Sequence, residues 1–443
     1  MIEILKRLIC IPSTLSASLP SAPFGADLRR ALDEFLTIAK DLGLKTYDGD
    51  GYYGWAEIGE GEKMLAIAGH IDVVPATGDW LTPAYELTEK DGILYGRGVA
   101  DDKGPIAVAL KLLKKLKDEN FDLGMRLRLI VGCNEENGSE CLAHYVKVDE
   151  IPTFTLVPDA DFPVVNSEKG ILTFSLPLDF NAKECGLISI NGGKRPNIIP
   201  DLCTVKIEEN SILYNALKNA NANTLKDLCA PATVEISEDY TCITTHGIAG
   251  HAMCPHKGIN AIFGALKILN AICPQCVSDA LAQLCDNEAV KTLGIYKEDE
   301  QSGDLTANLG MINTNSNGSI TLVYNCRLPI CITDNEVVKA FEKHLNTIAF
   351  DVDFSPNLYI DKNNPIITAL VDSYCEVTND TPHCVHTGGG TYARALPNAV
   401  AFGPTFENYE TEIHNANEHI PYEHLIKTAE IYELAIKKLV KIL

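Results

Sequence analysis

Apolar residues run unbroken through Met64-Leu-Ala-Ile-Ala68 and then give way to Gly69-His70-Ile-Asp72. A continuous apolar run, rather than an alternating one, predicts a strand buried on both faces, as in a parallel sheet. The pattern recurs at Met125–Gly132 and at Phe154–Val157. Each of these runs also ends in acids: Glu135-Glu136 after the first, Asp159-Ala-Asp161 after the second. Helical spacing lies between and around them. Leu28, Ala31, Leu32, Phe35, Leu36, Ala39 and Leu42 share one face, closed by Gly43. Ile106, Leu110, Leu113 and Leu116 share another, behind Asp101-Asp102-Lys103-Gly104-Pro105, with proline placed for the first helical turn. Strand, helix, strand alternation predicts an α/β domain: a mostly parallel sheet with helices on its faces.

From residue 171 the pattern changes to alternation, as in Ile171-Leu-Thr-Phe-Ser-Leu-Pro-Leu178, with Asn- and Gly-rich turns. Residues 212–228 and 258–269 read as helices, and 233–236, 240–246 and 319–327 as strands. The expected unit is an α+β insertion with an antiparallel sheet. The first character returns at Asn364. The predicted organisation is therefore a discontinuous α/β domain, residues 1–170 and 364–443, interrupted by an inserted domain at 171–363. That insertion is long for one domain, so two lobes are expected.

Composition narrows the partners. The 443 residues are 46% apolar and 22% charged, with a net charge of −23. Nucleic acid and anionic membranes call for a basic surface, so neither is an expected partner. There is no run of about 18 apolar residues and no signal-peptide pattern at the start, so a cytoplasmic protein is expected. The 15 cysteines are an odd number in a large chain, and reduced buried thiols are the default. Cys273-Pro-Gln-Cys276 reads as two core-facing thiols at a helix end, with a redox pair as the other reading.

The strand ends carry the chemistry. If strand geometry persists to residue 72, His70 and Asp72 project to one side, and a carboxylate beside an imidazole fixes its tautomer. His70, Asp101, Glu136, Asp159 and His414 are candidate ligands, with Asp72 and Glu135 beside them. Mixed imidazole and carboxylate donors suit zinc. Five ligands, one of them bridging, match the demand of two metals about 3.5–4 Å apart. Of the neighbouring pair Glu135-Glu136, one carboxylate can bind metal while the other stays free as a base.

These residues fall in motifs that resemble the M20 family of co-catalytic zinc metallopeptidases. The motifs are Gly69-His-Ile-Asp-Val-Val-Pro75, Gly96-Arg-Gly-x-x-Asp101-Asp-Lys-Gly104, Asn134-Glu-Glu-x-Gly-Ser139, Pro158-Asp-Ala-Asp161 and His414-Asn-Ala-Asn-Glu418. Pro158–Pro163, Gly388–Arg394 and Asn398–Pro404 are most similar to the PepV-type dipeptidase branch. The resemblance implies two zinc ions, with manganese or cobalt also able to fit, one held by His70 and Asp159, the other by Glu136 and His414, and bridged by Asp101. It implies that Asp72 orients His70 and that Glu135 is the general base. It makes the insertion a lid, with His251 stabilising the oxyanion and Asn197 and Arg327 holding the substrate's carboxylate. Gly390 would let the backbone approach the substrate. Asn134 departs from the family's more usual residue there, at a position that is not a ligand. The implied activity is hydrolysis of dipeptides with a free C-terminal carboxylate; the alternative is an N-acyl-amino-acid deacylase or desuccinylase. A monomer is expected.

Overall fold

The structure, a computed structural model, describes residues 1–178 and 182–443. The chain divides into two compact units, one of residues 1–166, 360–385 and 390–443, the other of residues 167–359 and 386–389.

The first unit is built on a sheet ordered Lys45–Gly49, Tyr53–Ile58, Arg126–Gly132, Met64–His70, Phe154–Val157, Ala399–Ala401 and Val165–Glu168. Its four central strands, from Arg126–Gly132 to Ala399–Ala401, are parallel, and the flanking ones are antiparallel. All seven residues of Met64–His70 are buried, as the unbroken apolar run requires. Helices cover both faces. A side chain at Gly54 would strike Leu32 and Leu36 of the helix Ala26–Asp41. Its neighbour Tyr53 packs edge-on against Tyr145 of the helix Glu140–Val148. Adjacent strand residues point to opposite faces, so these two helices lie on opposite sides. The predicted mostly parallel α/β architecture is the one observed.

The second unit is α+β. Its eight strands form one continuous antiparallel sheet, in the order Thr233–Ile236, Cys242–His246, Leu202–Ile207, Leu187–Gly192, Thr306–Thr314, Ile320–Leu328, Gly170–Leu178 and Phe350–Ser355. Leu172, Phe174, Leu176, Ile320, Leu322 and Tyr324 line its core, facing Leu266, Leu269 and Phe341 of the helices. The stretch read as one helix over 212–228 is two, Ile212–Asn219 and Ala222–Cys229. Asn221 breaks it, because its side chain accepts from the amides of Asn223 and Thr224 and so caps a new helix. Likewise Asn260 caps Ala261–Ile272, so that helix starts after residue 260 and not at Gly258.

Candidate active site

Three adjacent parallel strands deliver the acidic and imidazole groups to one sheet edge. His70 is the last residue of its strand and pairs with Gly132, so Glu135 and Glu136 follow just beyond the neighbouring strand. Asp159 lies two residues past Val157 on the other side. Asp101 comes from the turn before the helix Lys103–Asp118, and His414 from the loop before the strand His419–Pro421.

These side chains converge as two groups of three that share one member. His70, Asp101 and Asp159 present donor atoms within 4.8 Å of one another, as do Asp101, Glu136 and His414. His70 Nε2 stands 2.9 Å from Asp101 Oδ1, while His414 Nε2 stands 3.0 Å from Asp101 Oδ2 and 3.2 Å from Glu136 Oε2. Asp101 therefore turns one oxygen to each group. Glu135 belongs to neither.

Asp72 is more specific in its contacts than the sequence implied. His70 Nδ1 lies 3.0 Å from the main-chain carbonyl of Asp72 and 3.4 Å from its carboxylate. The carboxylate instead accepts from the amides of Glu135 and Glu136, each at 3.0 Å. One residue thus ties His70 and the glutamate pair together, with its main chain oriented to the imidazole and its side chain to the glutamate backbone.

The electrostatics show what the site is built to hold. Six carboxyls, Asp72, Asp101, Asp102, Glu135, Glu136 and Asp159, crowd around two imidazoles. Burial would raise Asp101, but His414 and His70 outweigh it and hold Asp101 well below the usual carboxylate range. Burial and the neighbouring Asp101 and Glu135 push Asp159 well up. Burial, with Glu136 and Asp101 adding, pushes Glu135 to about 7 against the pull of His70. His414 is raised to about 10 by Asp101 and Glu136. His70 is fully buried, and its Nε2 meets no hydrogen-bond geometry although Asp101 Oδ1 stands 2.9 Å away. A buried nitrogen without a partner, facing an excess of carboxylate oxygens, is a donor set that cations would satisfy.

Two supports were not legible as such. Glu418 is buried and accepts from Arg97 Nη1 at 2.7 Å and from the amides of Gly98, Ala100 and Asp101. Arg97 Nη2 donates to the carbonyl of Asn415. Both residues stood in the quoted motifs, but their charges gave no hint of a role beyond a pair. Asp102 stands at the N-cap of the helix Lys103–Asp118 but makes no side-chain cap. Its carboxylate accepts from the His70 amide at 3.1 Å.

In the second unit, Arg327 is buried, with Nε donating to Asn325 Oδ1 and Nη1 to the carbonyl of Gly388. His251 is exposed and its Nδ1 accepts from the Met253 amide at 3.1 Å, which leaves Nε2 as the protonated nitrogen of the neutral ring. Although its side chain reaches the surface, partial desolvation and the charge of Arg327 hold His251 below the usual imidazole value. Asn197 is exposed, and its carbonyl accepts from the Ala252 amide. Asn308, which the sequence did not single out, donates to the carbonyls of Pro196 and Ile198 on either side of Asn197. Gly390 lies in the first unit, where an added Cβ would come 3.0 Å from Arg394 Nε. His246 pairs weakly with Glu235 on the surface, at 3.6 Å.

A parallel α/β sheet whose carboxyl edge gathers imidazoles and carboxylates is the framework of a metal-assisted hydrolase. The description of peptidase family M20/M25/M40 matches residues 66–438. A Staphylococcus epidermidis relative named "Putative dipeptidase" is 31% identical over 452 residues, covering 98% of this chain and 96% of its own. A Bacillus subtilis strain 168 relative, "Putative dipeptidase YtjP", is 31% identical over 433 residues, covering 95% and 93%. A solved M20 family metallo-carboxypeptidase from Sulfolobus solfataricus shares the fold, with a TM-score of 0.58 at 17% identity over 100% of this chain and 99% of that one. The chain belongs to peptidase family M20/M25/M40. It is a hydrolase of a metal-dependent peptidase family. No helix among the described residues is long and apolar enough to cross a membrane.

Proposed function

We propose that the chain is a dipeptidase that uses two zinc ions to hydrolyse dipeptides bearing a free C-terminal carboxylate. The observation that carries this reading is Asp101 shared between two three-donor groups, with Glu135 left outside both. His70 and Asp159 would hold one ion, Glu136 and His414 the other, and Asp101 both. When bound, such ions polarise a carbonyl and make water a usable nucleophile near neutral pH. Glu135, its backbone pinned by Asp72, would take a proton from the attacking water and return it to the leaving amine. A carboxylate that binds neither ion stays free for both transfers.

The inserted unit acts as the lid and binds the substrate. A neutral His251 with its proton on Nε2 donates to the developing oxyanion. Arg327, with Asn197, receives the C-terminal carboxylate, for which a planar guanidinium is suited. Gly390 leaves room for the substrate backbone. A clamp of this kind limits substrate length, which favours dipeptides, in keeping with the relatives' names. The reading includes a monomer acting in the cytoplasm.

The test is metal-free protein reloaded with zinc, manganese or cobalt, then assayed on dipeptides, the matching dipeptide amides and N-acetyl amino acids. Dipeptides should be cleaved far faster than the other two. Faster cleavage of N-acetyl amino acids would assign the chain to deacylation instead.

A further inference from the structure

Three sulfurs converge in the core of the second unit. The Sγ atoms of Cys185, Cys273 and Cys276 lie within 4.8 Å of one another, and no residue of the three is more than 3% exposed. Cys185 ends the helix Ala182–Cys185, and Cys273 and Cys276 bracket the 3-10 turn Pro274–Cys276. The local sequence explains the pair. A 3-10 turn eclipses residues i and i+3, Pro274 starts it, and the Cys276 amide closes it on the Cys273 carbonyl at 2.8 Å. Both thiols therefore project to the same side, with Cys276 Sγ 3.1 Å from Cys273 Sγ. The third sulfur comes from another element.

Ordinary core cysteines do not gather in this way. Cys203, Cys229, Cys285 and Cys326 are buried in the same core. Yet among the described residues the trio is the only all-sulfur group with donor atoms this close. A disulfide would use two of the sulfurs and leave Cys185 unexplained. A common ion uses all three. Metal–sulfur distances of about 2.3 Å place three sulfurs around one ion at roughly 4 Å from each other. The Cys273–Cys276 pair, at 3.1 Å, would open by about 1 Å, and the remaining separations, all within 4.8 Å, would change by less than about 1 Å. Neither imidazole nor carboxylate belongs to the group, so its preference is for soft ions.

We propose that Cys185, Cys273 and Cys276 form a thiolate site for a soft divalent ion of the zinc and cadmium type, separate from the carboxylate–imidazole centre. Binding breaks three S–H bonds, forms three metal–sulfur bonds and releases three protons to solvent; no electrons move. A divalent ion leaves one net negative charge in the core, whereas a monovalent ion would leave two, and buried charge is costly. The bound ion joins the helix Ala182–Cys185 to the 273–276 turn.

Cadmium(II) titrated into the reduced, metal-free, full-length chain tests this. The carboxylate–imidazole centre contributes no sulfur-to-metal charge transfer, and with the exposed Cys10 and Cys331 replaced by serine in every protein compared, the tight-binding ultraviolet charge-transfer band reports the thiolate site. The expected result is a band that saturates at one cadmium per chain. Cys185→Ser and Cys276→Ser should each weaken cadmium binding in that band by more than about tenfold, while Cys229→Ser keeps it. No band in the chain with the trio intact, a measurement independent of how the trio variants fold, would overturn the proposal. So would a band that titrates with unchanged affinity in Cys276→Ser.

Discussion

Glu418 and Arg97 meet at 2.7 Å, both almost wholly buried, and join the loop that carries His414 to the turn that carries Asp101. Glu418 also collects three amides of that turn, and Arg97 stacks on Trp80, 5.1 Å from the ring centre. Burial raises Glu418 in spite of the amides and Arg97, so the pair is better read as fixing geometry than as a net source of stability.

Breaking it should nonetheless be costly. Glu418→Ala leaves a buried guanidinium without its partner, and a loss of about 3–5 kcal/mol is expected in urea unfolding. Loss of turnover should accompany it, because His414 is only four residues from the anchor. Unchanged stability and kcat would contradict this role.

Glu135→Ala should retain metal and lose turnover by a factor of about 10²–10⁴, the usual worth of a positioned acid–base group. Metal analysis beside steady-state kinetics checks it. Near-normal kcat in that variant would remove Glu135 from the mechanism.

Arg327→Ala should raise KM for dipeptides and narrow the gap between a dipeptide and its amide. A mutant that kept the full preference for the free carboxylate would place the clamp elsewhere. Asn325→Ala, which removes the acceptor for Arg327 Nε, should act in the same direction but less strongly.

Metal removal should lower stability as well as activity, since the two donor groups bring together more carboxylates than imidazoles. Saturation at 100 times Kd is worth about 2.7 kcal/mol. A melting temperature unaffected by a chelator would show that the folded chain gains nothing from the ions.

His383 offers a pH readout remote from the site. The carbonyl of Thr381 and the carboxylate of Glu407, 2.9 Å away, raise it, in part against burial. Its folded value lies above its unfolded one, so its contribution is complete below the ordinary imidazole value and is lost as pH rises through the folded value. The pair is partly exposed, so the effect should be under about 1 kcal/mol. His383→Gln should cost stability near pH 5 and almost none near pH 9 in paired denaturant curves.

The sheet and its edge were legible because burial on both faces writes itself as the unbroken run Met64–Ala68, and because acids at successive strand ends are hard to explain singly. The helix read across 212–228 failed at Asn221, where one side-chain cap outweighed an otherwise continuous apolar spacing. Asp72 was expected beside His70, but its hold on the Glu135 and Glu136 amides, like the tasks of Asp102 and Glu418, was not legible. Each accepts from backbone amides, and a hydrogen bond to a main-chain amide leaves no mark on the sequence of its donor. Asn308 escaped for the same reason, since it supports Asn197 through carbonyls common to every residue. The 273–276 pair was visible, but its third sulfur lies 88 residues earlier, where only the folded chain could bring it near.

Asp101 gives one oxygen to each donor group, and this makes the two groups a single thermodynamic system. Under the proposed two-ion reading, an ion entering beside His70 would neutralise the same carboxylate the second ion would share, so the two loading steps would not have independent affinities. Loading should follow a coupled isotherm, with a singly loaded chain as a distinct species, and a substitution at Asp101 should perturb both steps at once, whereas substitutions at Asp159 or Glu136 act first on one.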